Sequence, residues 1–381
     1  MSWYANCIDS DAEIWCVNED LTSAYQNLSR ETLSTGSMGF GGFSLLGRGS
    51  AQNWGLCETL LVRSQACRYQ DLEQMILLAE RAVTVAEGLD PMEYGRELAA
   101  DLRARAFTEL ANAYRVADDL DAAERALRRA SEWSARGTQD PLLLARIMRV
   151  AASQRGSQRR FPEALALLDA VYTIYERHGD RFNAGSALIS KGLYTGYGND
   201  PERAIQHLTA GLAMINPASD PKLVLSAVHN LANFLTDCGR FREARRILRR
   251  SKKAYFTTGD RLNLIKLRWV EGKIAFGLGE HDRAEAAFRD AQTGFEQAGL
   301  GYHAALVSLD LTAVLLDKGE TAAARQLIEQ TITIFRSRRI AREALAALLL
   351  LKRSLDTDRG SLGLLQTVRA YLKRLEARPA F

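Results

Sequence analysis

The chain has 381 residues, 47% hydrophobic and 25% charged, with seven prolines and a formal net charge of +4. Its apolar runs, such as 346–351, are far too short to span a bilayer. No basic segment followed by an apolar core opens the chain, so neither a membrane protein nor a secretory leader is expected, and the expected location is cytoplasmic. Five cysteines, Cys7, Cys16, Cys57, Cys67 and Cys238, fit neither paired zinc-ligand spacing nor a small disulfide scaffold, which predicts reduced, mostly buried thiols.

Residues 1–50 stand apart from the rest. They carry two basic and six acidic side chains and end in a glycine-rich stretch from Ser37 to Ser50, so they form an acidic segment with no assigned fold. The remainder has a mild basic excess, which permits acidic partners without demanding them.

From residue 51 to 377 the apolar pattern is helical. Residues 54–89 read as a degenerate leading helix pair, with Leu56, Leu60 and Leu61 on one helix and Leu72, Met75, Ile76, Ala79 and Ala82 on the next. Between about 95 and 335 a single unit recurs. Ala123, Ala164, Ala204, Ala244, Ala284 and Ala324 fall 41 and then 40 residues apart, each followed four residues later by Leu127, Leu168, Leu208, Leu248, Phe288 or Ile328. A fixed period of this length means one supersecondary unit stacked on copies of itself. The small residue marks a close helix crossing and the larger one fills the groove beside it. Gly239, Gly279 and Gly319 are in step where the first helix of a unit must end in a left-handed turn. Asp90-Pro91, Asp140-Pro141, Asp200-Pro201 and Asp220-Pro221 place an N-cap carboxylate before a proline suited to the first helical position. Residues 340–377 read as capping helices with arginine-rich outer positions, and the short run Arg336, Arg338, Arg339 and Arg342 reads as a solvated face.

In the best unit, Phe107, Leu110, Ala111, Tyr114, Leu120, Ala123, Leu127 and Ala130 follow the order of the tetratricopeptide repeat (TPR). The sequence resembles the longer-period TPR arrays of bacterial regulators of the maltose-regulon-activator kind and of kinesin light chain. Two departures stand out: a period of 40 residues instead of 34, and loss of the usual leucine around Lys191 and Gly192. The resemblance implies an all-α fold, a right-handed α-solenoid of stacked antiparallel helix pairs whose first helices line a concave groove. Residue by residue it places Arg105, Thr108, Asn112 and Arg115 on that groove, then Arg146, Arg149 and Ser153, then His229 and Asn233, then Lys266, Trp269 and Lys273. Such a basic groove suits an acidic peptide, a free carboxylate or a phosphate. His229, Asn233 and Lys266 partly resemble a carboxylate clamp, while Val270 stands where a basic residue is expected nearby.

A second charged feature lies on one helix. Eight cations occupy residues 240–253 against Glu243 alone. Phe241, Ala244, Ile247 and Leu248 take the apolar stripe, which puts Arg242, Arg245, Arg246, Arg249, Arg250 and Lys253 on an outer face. That face suits an acidic protein or a phosphate backbone, although a charge run is usually just a solvated surface. Aromatic side chains near it reduce to Tyr255 and Phe256.

Nothing in the sequence has catalytic spacing. The five histidines are scattered, with His178 and His281 in expected turns, and there is no phosphate loop, GxSxG elbow or HExxH pair. Neither a catalytic residue, a metal nor a cofactor is expected. The function implied is a non-enzymatic scaffold or adaptor that binds a protein or peptide, acidic in character, with nucleic acid ranking behind protein as partner. The rival reading is the sensor part of a bacterial transcription regulator lacking a recognisable DNA-binding domain, since residues 1–50 offer no recognition helix.

Overall fold

The computed structural model describes residues 54–68, 71–257 and 259–337, together with Leu365. The acidic segment 1–50, the capping helices expected at 340–377 apart from Leu365, and the run Arg338, Arg339 and Arg342 lie outside the described residues, as does the side chain of Arg336.

Among the described residues there are fifteen α-helices and no strand. In chain order they are α1 (Trp54–Cys67), α2 (Leu72–Glu87), the single turn α3 (Pro91–Tyr94), α4 (Arg96–Val116), α5 (Leu120–Ser134), α6 (Pro141–Ser157), α7 (Phe161–Arg177) and α8 (Arg181–Tyr197). They continue as α9 (Pro201–Met214), α10 (Pro221–Asp237), α11 (Phe241–Thr257), α12 (Arg261–Gly277), α13 (His281–Gln297), α14 (Gly301–Asp317) and α15 (Thr321–Ser337). From α6 onward the helices start at 20-residue intervals, almost all are 17 residues long, and three-residue turns join most of them. The 40-residue period therefore comes from long helices and not from long loops.

Local chemistry sets the boundaries. Asp90, Asp140 and Asp200 each accept a hydrogen bond from a backbone N–H of the first turn, of Met92, Leu142 and Arg203 respectively. Asp71, Asp119, Asp180 and Asp260 cap in the same manner without a following proline. At the other end, Gly239, Gly279 and Gly319 have φ of 71°, 75° and 78°, as their register requires. Three earlier units make the same left-handed turn with side chains: Asp118 at 65°, Arg159 at 59° and Asn199 at 74°. In each case the residue after the turn donates its N–H five residues back, to Tyr114, Arg155, Thr195, Leu235, Ala275 or Leu315, which satisfies an orphan carbonyl of the helix end. His281, expected in a turn, instead opens α13.

The chain divides into two compact units, one of residues up to 190 with 214–220, the other of 191–213 with residues from 221 onward. In the first unit α4 packs on both α5 and α6, and α6 on α7, the arrangement of stacked helix pairs. Its core joins Cys57, Leu61, Met75, Ala79, Phe107, Ala111 and Leu127 among others, so the leading pair α1–α2 shares one apolar interior with the first full repeat. The second unit repeats the scheme with α12 on α13 and α14, around Phe288, Phe295, Val307 and Leu311. All six periodic alanines have no exposed surface. Opposite them lies a second series of small residues, Ala111, Ala152, Gly192, Ala232, Gly272 and Thr312, all buried. At Gly272 a methyl group would come within 2.6 Å of the Phe288 ring, and at Gly192 within 2.8 Å of Leu208. The unit that lost its leucine thus gained a closer helix contact.

Candidate functional site

In the first unit the helix ends around α4 and α6 enclose an open cavity of about 670 Å³. Leu98, Asp101, Leu102 and Arg105 face it from α4, at helical spacing. One repeat on, Leu142, Leu143 and Arg146 face it from α6, while Tyr175, Phe182 and Trp54 supply aromatic wall. Leu98 is 51% exposed and Leu142 38%, so the mouth of the cavity presents apolar surface to water. Asp101 accepts from both the N–H and the hydroxyl of Thr138, which fixes the loop at the rim. Of these residues the repeat pattern places only Arg105 and Arg146 on the groove. The apolar rim residues carried a signal that was present but weak, since they sit on helices in positions a buried stripe would not use.

Both arginines already have acidic partners. Arg105 pairs with Glu58 of α1, and Arg146 pairs with Glu109 of α4, donating also through Nε at 3.0 Å. Burial would raise the Glu109 carboxyl, but the Arg146 guanidinium and a hydrogen bond from Gln65 outweigh it and hold the group below its usual range. At Arg105 and Arg146 the basic character expected of the groove is therefore offset by carboxylates of the preceding helix pair. Asn112 accepts from Arg115 at 2.7 Å. Arg149, Arg115, Thr108 and Ser153 are buried between helices.

In the second unit Asn233, Lys273 and Trp269 form a connected polar cluster. Lys273 donates to Asn233 at 3.0 Å, and its ammonium lies 4.6 Å from the centre of the Trp269 ring. Trp269 in turn donates its indole N–H to Asp310 at 2.6 Å and meets Phe295 edge-on. The Tyr255 hydroxyl lies 3.0 Å from Nδ1 of His229. Burial, reinforced by the charge of the buried Lys266, pushes both His229 and His303 down to about 3, so both rings are neutral near pH 7. Asp310, Tyr255 and His303 were not legible as members, because tertiary packing brings them in from α14 (His303 and Asp310) and α11 (Tyr255).

On α11 the cationic face is as its period predicts. Arg240, Arg245 and Lys252 are paired with Glu243, Glu280 and Glu271. Arg242, Arg246, Arg249, Arg250 and Lys253 are exposed, and their side chains make no ion pair among the described residues. The arginines line a cleft of about 520 Å³ closed by Leu278 and Glu280.

Among the described residues no group of three or more His, Cys, Asp and Glu side chains is arranged to hold a metal ion, and no helix is long and apolar enough to cross a membrane. Cys57, Cys67 and Cys238 are free thiols, and burial pushes Cys57 up to about 12.

Residues 224–255, covering most of α10 and α11, match the tetratricopeptide repeat family. The other described helix pairs pack in the same way, so the fold is the TPR-like one of stacked α-helical pairs. Solved structures of this fold resemble it at low identity. A Rap protein complexed with competence and sporulation factor is 13% identical, with a TM-score of 0.61 over 84% of this chain and 87% of that one. NprR in complex with its cognate peptide NprX is 16% identical, with a TM-score of 0.56 over 78% of this chain and 84% of that one. BtubC from P. vanneervenii is 18% identical, with a TM-score of 0.50 over 60% of this chain and 93% of that one. No curated protein sequence matches the chain.

Proposed function

We propose that the chain is a non-enzymatic adaptor that binds a peptide segment of a partner protein, with an apolar side chain of that segment in the cavity of the first unit. The observation that carries this reading is the cavity itself: about 670 Å³, apolar walls, two half-open leucines at its mouth and a few fixed polar groups. Sites of that size and composition are the usual form of a ligand pocket. A fold shared with a protein solved with its cognate peptide supports the same direction.

Among the expected groove residues, Asn112 in the first unit and, separately, His229, Asn233, Trp269 and Lys273 in the second are proposed to supply polar contacts, while Arg149 and Lys266 are buried. Lys273 is the best placed of them for an acidic group of the partner, because Asn233 and the Trp269 ring already fix its ammonium. The cell compartment is proposed to be the cytoplasm. Selecting a displayed peptide library on the full chain tests the reading. Enriched peptides should share an apolar anchor, and their affinity should fall at least about tenfold in Leu98→Asp with Leu142→Asp, a loss expected for a desolvated anchor. No enrichment, or affinity indifferent to that variant, would overturn it.

A further inference from the structure

The exposed face of α11 shares no residue with that cavity, and its composition points to a different ligand. At 3.6 residues per turn, Arg242, Arg245, Arg246, Arg249, Arg250, Lys253 and Phe256 fall within an arc of about 140°. Ala244, Leu248 and Tyr255 lie opposite, all buried. Phe256 is 64% exposed, a large apolar ring at the C-terminal end of a cationic surface. Tyr255, its neighbour in sequence, is instead buried against His229. The five unpaired cations run for about 16 Å along the helix, with i, i+4 steps of about 6 Å. Glu280 holds Arg245 in a two-pronged pair at 2.7 and 2.8 Å, which fixes one wall of the cleft.

Like charges one turn apart on this exposed face repel each other modestly in water, and an anion laid along them relieves that repulsion. Planar guanidinium forks match phosphate oxygens two at a time. An exposed aromatic ring among them has no use for a carboxylate, and a paired duplex offers it no free base face. It does suit an unstacked base, which is how single-stranded nucleic acid is held: cations along the backbone and a ring under a base. We propose that this face binds a single-stranded nucleic acid, with about four phosphates on Arg242, Arg246, Arg249 and Arg250 and a base on Phe256. Lys253 joins the two by standing one turn before the ring. The proposal concerns a second ligand and stands whether or not the cavity binds a peptide.

The test uses the full chain and a fluorescently labelled oligothymidine of about 20 nucleotides, read by anisotropy. With about four phosphates neutralised, the slope of log K against log salt should be near −3, a loss of about 60-fold between about 50 and about 200 mM salt. Replacing Arg242, Arg246, Arg249 and Arg250 by Gln should remove this binding and flatten the slope. Phe256→Ala should weaken binding about fivefold or more with the slope unchanged. Arg125→Gln with Arg128→Gln, on the exposed side of α5, controls for charge alone and should change nothing. All these side chains are exposed, and unaltered helical circular dichroism and melting confirm the fold in each variant. Absence of binding at low salt, binding insensitive to the four-arginine variant, or an equal loss in the α5 control would overturn the proposal. So would displacement by poly-glutamate at equal charge concentration, which would assign the face to an acidic protein.

Discussion

Arg146 and Glu109 form an ion pair between the first helices of two successive repeats, and each side chain is only 4% exposed. The pair takes a cation that the TPR pattern directs toward the groove and turns it into a crosslink between α4 and α6. Arg105 and Glu58 do the same one step earlier, between α4 and α1.

That arrangement predicts an asymmetry. Glu109→Gln leaves the Arg146 charge buried beside Arg105 and should cost about 3–5 kcal/mol in urea unfolding. Glu109→Leu with Arg146→Met removes both charges and should recover most of the loss. The Glu109 pKa lies below its unfolded value, so its contribution is present above about 4.5 and is lost as pH falls through the folded pKa. If the single and double variants were equally unstable, the pair would be packing and not charge compensation.

A separate acid sensitivity should appear at milder pH. His229 and His303 are held near 3, against an ordinary value of 6.5. Between those values the unfolded chain binds protons that the folded chain excludes, so stability is complete above about 6.5 and falls as pH drops toward 3. Each ring should contribute a loss of about 1–2 kcal/mol between pH 6.5 and 5. Urea midpoints across that range should decline in the parent chain. The decline should flatten in His229→Asn with His303→Asn; an unchanged slope would place the acid sensitivity elsewhere.

The left-handed turns give a paired test at equivalent positions. Gly279 has φ of 75° and nothing within 4 Å of where a Cβ would stand, so Gly279→Ala should cost only the backbone term, about 1–2 kcal/mol. Asn199 already holds that conformation at φ of 74°, so Asn199→Gly should be neutral or stabilising by up to about 1 kcal/mol. Melting temperatures of the two variants should move apart. Equal destabilisation would mean that the side chain at 199 matters more than its backbone.

The repeat itself was fully legible in the chain. The alanines from Ala123 to Ala324 and the aspartate caps fix helix register, because close crossings tolerate only small residues and orphan N–H groups need a nearby acceptor. The amphipathic period of α11 likewise points outward the arginines that are exposed, Arg242, Arg246, Arg249 and Arg250, while Arg245 is half-buried against Glu280. What one-dimensional pattern could not carry was partnership. Glu109 reaches Arg146 across 37 residues and Asp310 reaches Trp269 across 41, and nothing local to either residue announces the other. Asp118, Arg159 and Asn199 hide a turn that glycine advertises elsewhere, because the helix-end hydrogen bonds impose the conformation whatever the side chain. Whether a cation is a binding group or a crosslink depends on which carboxylate the neighbouring helix brings within reach. Spacing along the chain sets the helices; only their packing sets the charges free or spends them on each other.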